Sequence, residues 1–217
     1  MKFSVVGTDH LHVVELVSGL TDAGAELVAI AASEDRIGPW LATQHEGAQS
    51  VPDLDAALDG VDVVVTAAIP AERAEVGIGA MRAGKDVLAD KPGATSLDQL
   101  DALRATCDET GRQYLVLFSE RLTNASMVRA FELVQTGRIG DVVHTVGLGP
   151  HTLNLARRPD WFFDPARYGG ILVDIGSHQV DQFLAFTGAS GAEVLASTVR
   201  SHPEHPGLEL LGEMLLA

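Results

Sequence analysis

The stretch AGKDVLADKPGA, residues 83–94, changes character twice within twelve positions, and its reading decides the fold. Ala83-Gly84-Lys85 reads as the end of a helix, with Gly84 at the left-handed position that closes it. Asp86–Ala89 reads as a short, buried strand. Asp90-Lys91-Pro92 then halts that strand and carries two charges and a rigid turn to its carboxyl end. Working outward, the same alternation recurs. Apolar, β-rich runs at Phe3–Val6, Glu26–Ala31, Val61–Ala67 and Tyr114–Phe118 are separated by helix-like stretches at Leu11–Ala23, Gly38–Glu46, Leu54–Leu58, Ala71–Ala83 and Ser96–Thr110. Strands alternating with helices predict an α/β domain, a doubly wound parallel sheet covered on both faces.

After Phe118 the rhythm changes. A helix at Ala125–Thr136, a turn at Gly137–Gly140, a strand at Val142–Leu148, a long loop from Gly149 to Gly170, a helix from Leu172 to Phe186 and a strand at Glu193–Arg200 are expected. The last residues, LELLGEMLLA, suit a helix or a strand. We expect domains at residues 1–120 and 121–217, the second a partial α+β domain with an open sheet. So few strands and an apolar terminus suggest a truncated domain.

The composition narrows the function. A formal net charge of −15 argues against a nucleic-acid backbone or an anionic membrane as partner, since both reward clustered Lys and Arg. No apolar run approaches the roughly 20 residues of a membrane span, and no signal-peptide pattern precedes Phe3, so cytoplasmic residence is expected. The single cysteine, Cys107, excludes an internal disulfide. His10, His12, Asp9, His202 and His205 suggest metal ligands only loosely, and no metal is expected.

The first βα turn, VVGTDHLHVVE at residues 5–15, stands where a dinucleotide-binding chain carries G-x-G-x-x-G. Only Gly7 survives; Asp9 and His12 occupy the other two glycine positions. Backbone N–H groups of Thr8 to Leu11 could still meet a phosphate at a helix N-terminus, with Thr8 and His10 the expected donors, while Asp9 stands beside the phosphate or caps the helix. The residue that usually selects the ribose 2′-hydroxyl falls at Ala32, which has no carboxylate. Ser33 and Arg36 could instead accept a 2′-phosphate, so NAD and NADP both stay open.

A second stretch, RPDWFFDPARYGGILVDIGSHQVDQ at residues 158–182, carries Gly169-Gly170, Asp174, His178 and Asp181. Taken in order with residues 83–94, it resembles the Gfo/Idh/MocA family of NAD(P)-dependent oxidoreductases. That family's signatures are Ala-Gly-Lys-x-Val-x-x-Glu-Lys-Pro and a later Gly-Gly-x-x-x-Asp-x-Gly-x-His-x-x-Asp. The resemblance implies a Rossmann domain, then a substrate domain whose sheet supports a homo-oligomer, and hydride transfer at a carbinol carbon of a sugar, cyclitol or polyol. It assigns Lys91, Asp174 and His178 as catalytic. It also implies cofactor contacts at Gly7, Thr8, Asp9, His10, Ser33, Arg36, Ala68, Pro70, Asp90 and Lys91. Substrate contacts are expected at Lys91, Arg158, Trp161, Tyr168, Asp174 and His178. Asp90 replaces the family's glutamate, and Ala71 replaces the asparagine that usually follows Pro70.

Elementary chemistry agrees with these roles. Oxidising an alcohol needs a base for the hydroxyl proton, which histidine supplies near neutral pH. Asp174 and His178, four residues apart on an expected helix, share one face. Two other readings remain: a nucleotide- or partner-binding remnant without catalysis, and a relative that uses NAD transiently for elimination or glycoside cleavage.

Overall fold

A computed structural model describes residues 1–33 and 37–217. The chain divides into two compact units, Met1–Leu117 and Phe118–Ala217.

The first unit holds six parallel strands: β1 (Lys2–Val6), β2 (Glu26–Ala31), β3 (Gln49–Ser50), β4 (Val63–Thr66), β5 (Asp86–Asp90) and β6 (Tyr114–Leu117). Their order, β3-β2-β1-β4-β5-β6, is that of the Rossmann fold. The helices between them are α1 (Val13–Asp22), α2 (Ile37–Gln44), α3 (Leu54–Ala57), α4 (Arg73–Arg82) and α5 (Leu97–Thr110). Successive strand residues point to opposite faces, and the core follows that alternation. Phe3, Val5 and Val65 pack with Val13, Leu16 and Val17 of α1 and Leu41 of α2. Their neighbours Val6 and Val64 pack with Ala57 of α3, Ala74, Ala80 and Met81 of α4, and Leu103 of α5. Both faces of the sheet are therefore covered.

Local signals explain the helix ends. Ser96 caps α5 by accepting the Gln99 N–H, and Gly111 ends it at φ +66°. Two-residue β3 escaped the sequence reading because its Gln-Ser pair has no apolar pattern.

The second unit contains α6 (Ser119–Leu122), α7 (Ala125–Gln135), α8 (Pro165–Tyr168), α9 (Ile171–Asp174), α10 (Gly176–Thr187) and an antiparallel pair, β7 (Val194–Ser201) with β8 (Glu209–Leu216). The ambiguous tail is thus a strand. Two expectations fail here. Residues 142–148 form no strand, because among the described residues no neighbour offers them a ladder. They run beside α10 instead, with Gly147 so close to Gln179 that a Cβ would lie 2.7 Å from its Cγ. The single helix expected at Leu172–Phe186 is two, broken at Ile175, where the His178 N–H bonds back only three residues to the Ile175 carbonyl.

Candidate active site

In the first unit the candidate residues follow the carboxyl ends of β1, β2, β4 and β5, and the strand order reverses between β1 and β4, the switch point at which open α/β sheets bind ligands. Gly7 has φ +78°, and a Cβ there would lie 2.4 Å from Ala68 Cβ, so this turn admits only glycine. The turn spends its N–H groups internally. Thr8 N–H donates to Ser33 Oγ (3.2 Å), His10 N–H to the Ala67 carbonyl (3.0 Å), and His12 N–H to His10 Nδ1 (3.3 Å). These are the partners of the two N–H groups, Thr8 and His10, expected to meet phosphate. The Asp9 carboxylate turns toward the end of β2, where the Ser33 hydroxyl donates to it at 2.5 Å. The N-cap position of α1, His12, makes no side-chain cap. Arg36 lies outside the described residues.

The carboxyl end of β5 is built around Arg73. This fully buried guanidinium donates from Nε to the Ala68 carbonyl (2.8 Å), from Nη1 to the carbonyls of Asp90, Lys91 and Pro92, and from Nη2 to Asp90 Oδ2 (3.0 Å). It thereby gathers the Asp90-Lys91-Pro92 turn, whose Lys91-Pro92 bond is cis, onto the start of α4 and the residue after β4 that packs on Gly7. Lys91 is buried at 3% exposure. Pro70 is buried at the start of a 3₁₀ turn leading into α4.

Asp90 also meets both histidines of the first turn, His12 Nδ1 at 2.9 Å from Oδ1 and His10 Nδ1 at 3.3 Å from Oδ2. Burial favours the protonated acid, but Arg73, the His12 hydrogen bond and the His10 ring outweigh it and hold the carboxyl well below its usual range. Burial pushes His10 the other way for a base, well below 6.5, against the pull of Asp90. Sequence spacing gave no hint that a carboxylate joins these histidines, since Asp90 lies 78 residues beyond His12. The three offer ligand atoms within 4.8 Å of one another.

The second unit positions Asp174 and His178 at the junction of α9 and α10, both buried. The Gly169-Gly170 pair makes this junction possible. Both have positive φ, a Cβ on Gly170 would lie 2.7 Å from Glu209 Oε2, and that carboxylate accepts the Ile171 N–H at the start of α9. His178 Nε2 lies 4.0 Å from Glu120 Oε1, and its ring meets Phe118 edge-on at 6.0 Å. Glu120 also accepts from Gln179 and Gln182. It escaped the sequence reading because only α10 packing on α6 brings it there. Asp181 pairs with both the Nε and Nη2 of Arg121 and so clamps α10 to α6.

The aromatics of the long loop pack together. Trp161 stacks on Phe162 at 4.1 Å, Phe162 meets Tyr168, and Trp161 and Tyr168 are 5% and 2% exposed. They form a buried aromatic core of this unit, with Tyr168 Oη accepting the Glu209 N–H. Burial raises the Tyr168 hydroxyl's pKa. Arg158 lies over the Phe162 ring at 4.1 Å and donates to the Leu153 carbonyl.

Residues 1–118 match the family model described as oxidoreductase family, NAD-binding Rossmann fold, and residues 127–217 match a Gfo/Idh/MocA C-terminal domain. The chain belongs to the Gfo/Idh/MocA oxidoreductase family. Among solved structures, one described as a putative oxidoreductase from Erwinia carotovora atroseptica SCRI1043 is 39% identical with a TM-score of 0.95, covering 100% of this chain and 66% of that one. GenD2 of gentamicin A biosynthesis, solved with NAD, is 27% identical with a TM-score of 0.82, covering 100% of this chain and 62% of its own. A 1,5-anhydro-D-fructose reductase from Ensifer adhaerens is 26% identical over 90% of this chain. The chain spans 59% of that reductase's length.

Proposed function

We propose that this protein is an NAD(P)-dependent oxidoreductase that moves hydride to or from a carbinol carbon of a sugar-, cyclitol- or polyol-like substrate. The observation that carries this reading is the built strand end at β5. A Gfo/Idh/MocA signature lysine, Lys91, is held there by four bonds from one buried arginine to the turn. The strand order at the β1/β4 switch point and the forced Gly7 support a dinucleotide site, to which the proposal assigns Gly7, Ala68 and Pro70. When bound, the nicotinamide supplies a two-electron hydride acceptor or donor.

The chain's own residues then handle the proton and the oxygen. In the oxidising direction His178 takes the hydroxyl proton as the carbon gives up hydride. Lys91 donates to the same oxygen and stabilises its developing charge, and Asp174 orients substrate and imidazole. In the reducing direction His178 returns the proton. In the same proposal, a homo-oligomer forms through the β7–β8 sheet, where Val194, Leu195, Leu211 and Leu215 are 55%, 53%, 42% and 58% exposed.

The test is to titrate the protein with NADH and NADPH by fluorescence, then screen polyols and keto-sugars for a change in nicotinamide absorbance. Turnover on a polyol supports the reading. Binding without turnover on any of them favours a non-catalytic nucleotide-binding protein. Light scattering reports the oligomeric state.

A further inference from the structure

His12 stands at the third glycine position of the first turn, and its ring is held from one side only. Arg73 fixes Asp90 Oδ2 at 3.0 Å and keeps that buried carboxyl ionised, so Asp90 can only accept. His12 Nδ1, 2.9 Å from the other oxygen, Oδ1, therefore carries the hydrogen of their bond. His10 plays the opposite part. Its Nδ1 accepts the His12 N–H at 3.3 Å, and burial disfavours its charged form, so it is the neutral ring of a pair that meets edge to face at 4.1 Å. His12 Nε2 makes no hydrogen bond among the described residues, and the side chain is 34% exposed against 2% for Asp90. One nitrogen is anchored on a buried charge, and the other is unspent.

We propose that His12 is a cofactor-binding residue that, as an imidazolium braced by Asp90, donates from Nε2 to the pyrophosphate of the dinucleotide. The inference rests on the oxidoreductase reading above and assigns one contact within its cofactor site. A neutral imidazole with its hydrogen on Nδ1 offers Nε2 only as an acceptor, and phosphate has no hydrogen to give. The ring is therefore protonated in the complex, and both of its nitrogens donate. It then lies between two anions, the carboxylate and the phosphate, with a charge-assisted hydrogen bond to each. The other ionisable groups of this cluster are Arg73 of α4, Lys91 next to Asp90, and neutral His10, while Asp9 of the same turn takes the Ser33 hydroxyl. The side chain that replaces the third glycine thus adds a charged donor to a turn whose Thr8, His10 and His12 N–H groups are bonded within the protein.

The test is fluorescence titration of the full chain with NADH, or with NADPH where that is the dinucleotide it binds, from about pH 6 to about pH 9, a range that spans histidine titration. It is repeated for His12→Asn, which keeps a polar side chain but cannot take up the proton. The wild-type dissociation constant should rise about tenfold or more across the range, because the complex holds a proton that the free protein loses. His12→Asn should bind about 10- to 100-fold more weakly at the acid end, the scale of one hydrogen bond to a charged group, and should lose the dependence on pH. A wild-type constant that does not change with pH, or a His12→Asn constant within about threefold of wild type at the acid end, would overturn the inference while leaving the oxidoreductase reading intact. Failure of the wild type to bind either dinucleotide would overturn both. The wild-type pH profile decides even if His12→Asn fails to fold.

Discussion

Arg73 and Asp90 form an ion pair with 3.0 Å between Nη2 and Oδ2, the arginine fully buried and the aspartate 2% exposed. Two charges taken out of water together are stable only with further hydrogen bonds, and both have them: four backbone carbonyls for Arg73, the His12 ring for Asp90. Arg73→Met should therefore cost about 3–5 kcal/mol, because it strands the carboxylate and four carbonyls. Urea denaturation followed by circular dichroism measures this. A loss under 1 kcal/mol would mean water replaces the guanidinium.

Acid should act on the same cluster in two stages. His10 has a folded pKa below 6.5, so between the two values the unfolded chain binds more protons and stability is lost as pH falls below about 6.5. Asp90 has its folded pKa depressed from 3.8, so its contribution is present above that value and is lost as pH falls below it. Melting temperature against pH should decline from about 6.5 and steepen below about 4, and His10→Asn should remove the upper limb.

Lys91→Met and His178→Asn separate chemistry from cofactor binding. Each should lower turnover by about 100- to 10,000-fold while leaving the NADH dissociation constant within a few-fold. A matching loss of NADH binding in His178→Asn would remove that histidine from the chemistry. Stopped-flow absorbance and fluorescence titration give the two readouts.

Gly170→Ala probes the junction that carries Asp174 and His178. The new Cβ would meet Glu209 Oε2 at 2.7 Å with φ at +80°, so the variant should lose about 1–3 kcal/mol in thermal unfolding. Glu209→Gln, which keeps an acceptor for the Ile171 N–H, should lose less.

Much of the first unit was legible because its signals are local. Runs such as Val63–Thr66 show buried-strand character directly, and the left-handed glycines Gly24, Gly84 and Gly111 stand where the helices end. In the second unit local signals mislead. Residues 142–148 have strand composition but no strand to pair with, and Trp161 and Tyr168 look like ligand-facing aromatics but pack on one another through Phe162. Composition reports what a segment can do, while a ladder or a stacking partner decides what it does.

The sequence by itself determined the alternation of strand and helix, the family, and the three residues on which the chemistry is staked, Lys91, Asp174 and His178. Each of these is carried by spacing within one short stretch of chain. Only the tertiary structure decided what surrounds them. Arg73 reaches Asp90 across 17 residues, Asp9 meets Ser33 across 24, and Glu120 approaches His178 across 58, which follows from the numbers of the two residues. The physical reason is range. Periodicity records which face of an element is buried, but a charge or hydrogen bond between distant residues leaves no periodic trace, and it exists only once the sheet has set its strands side by side.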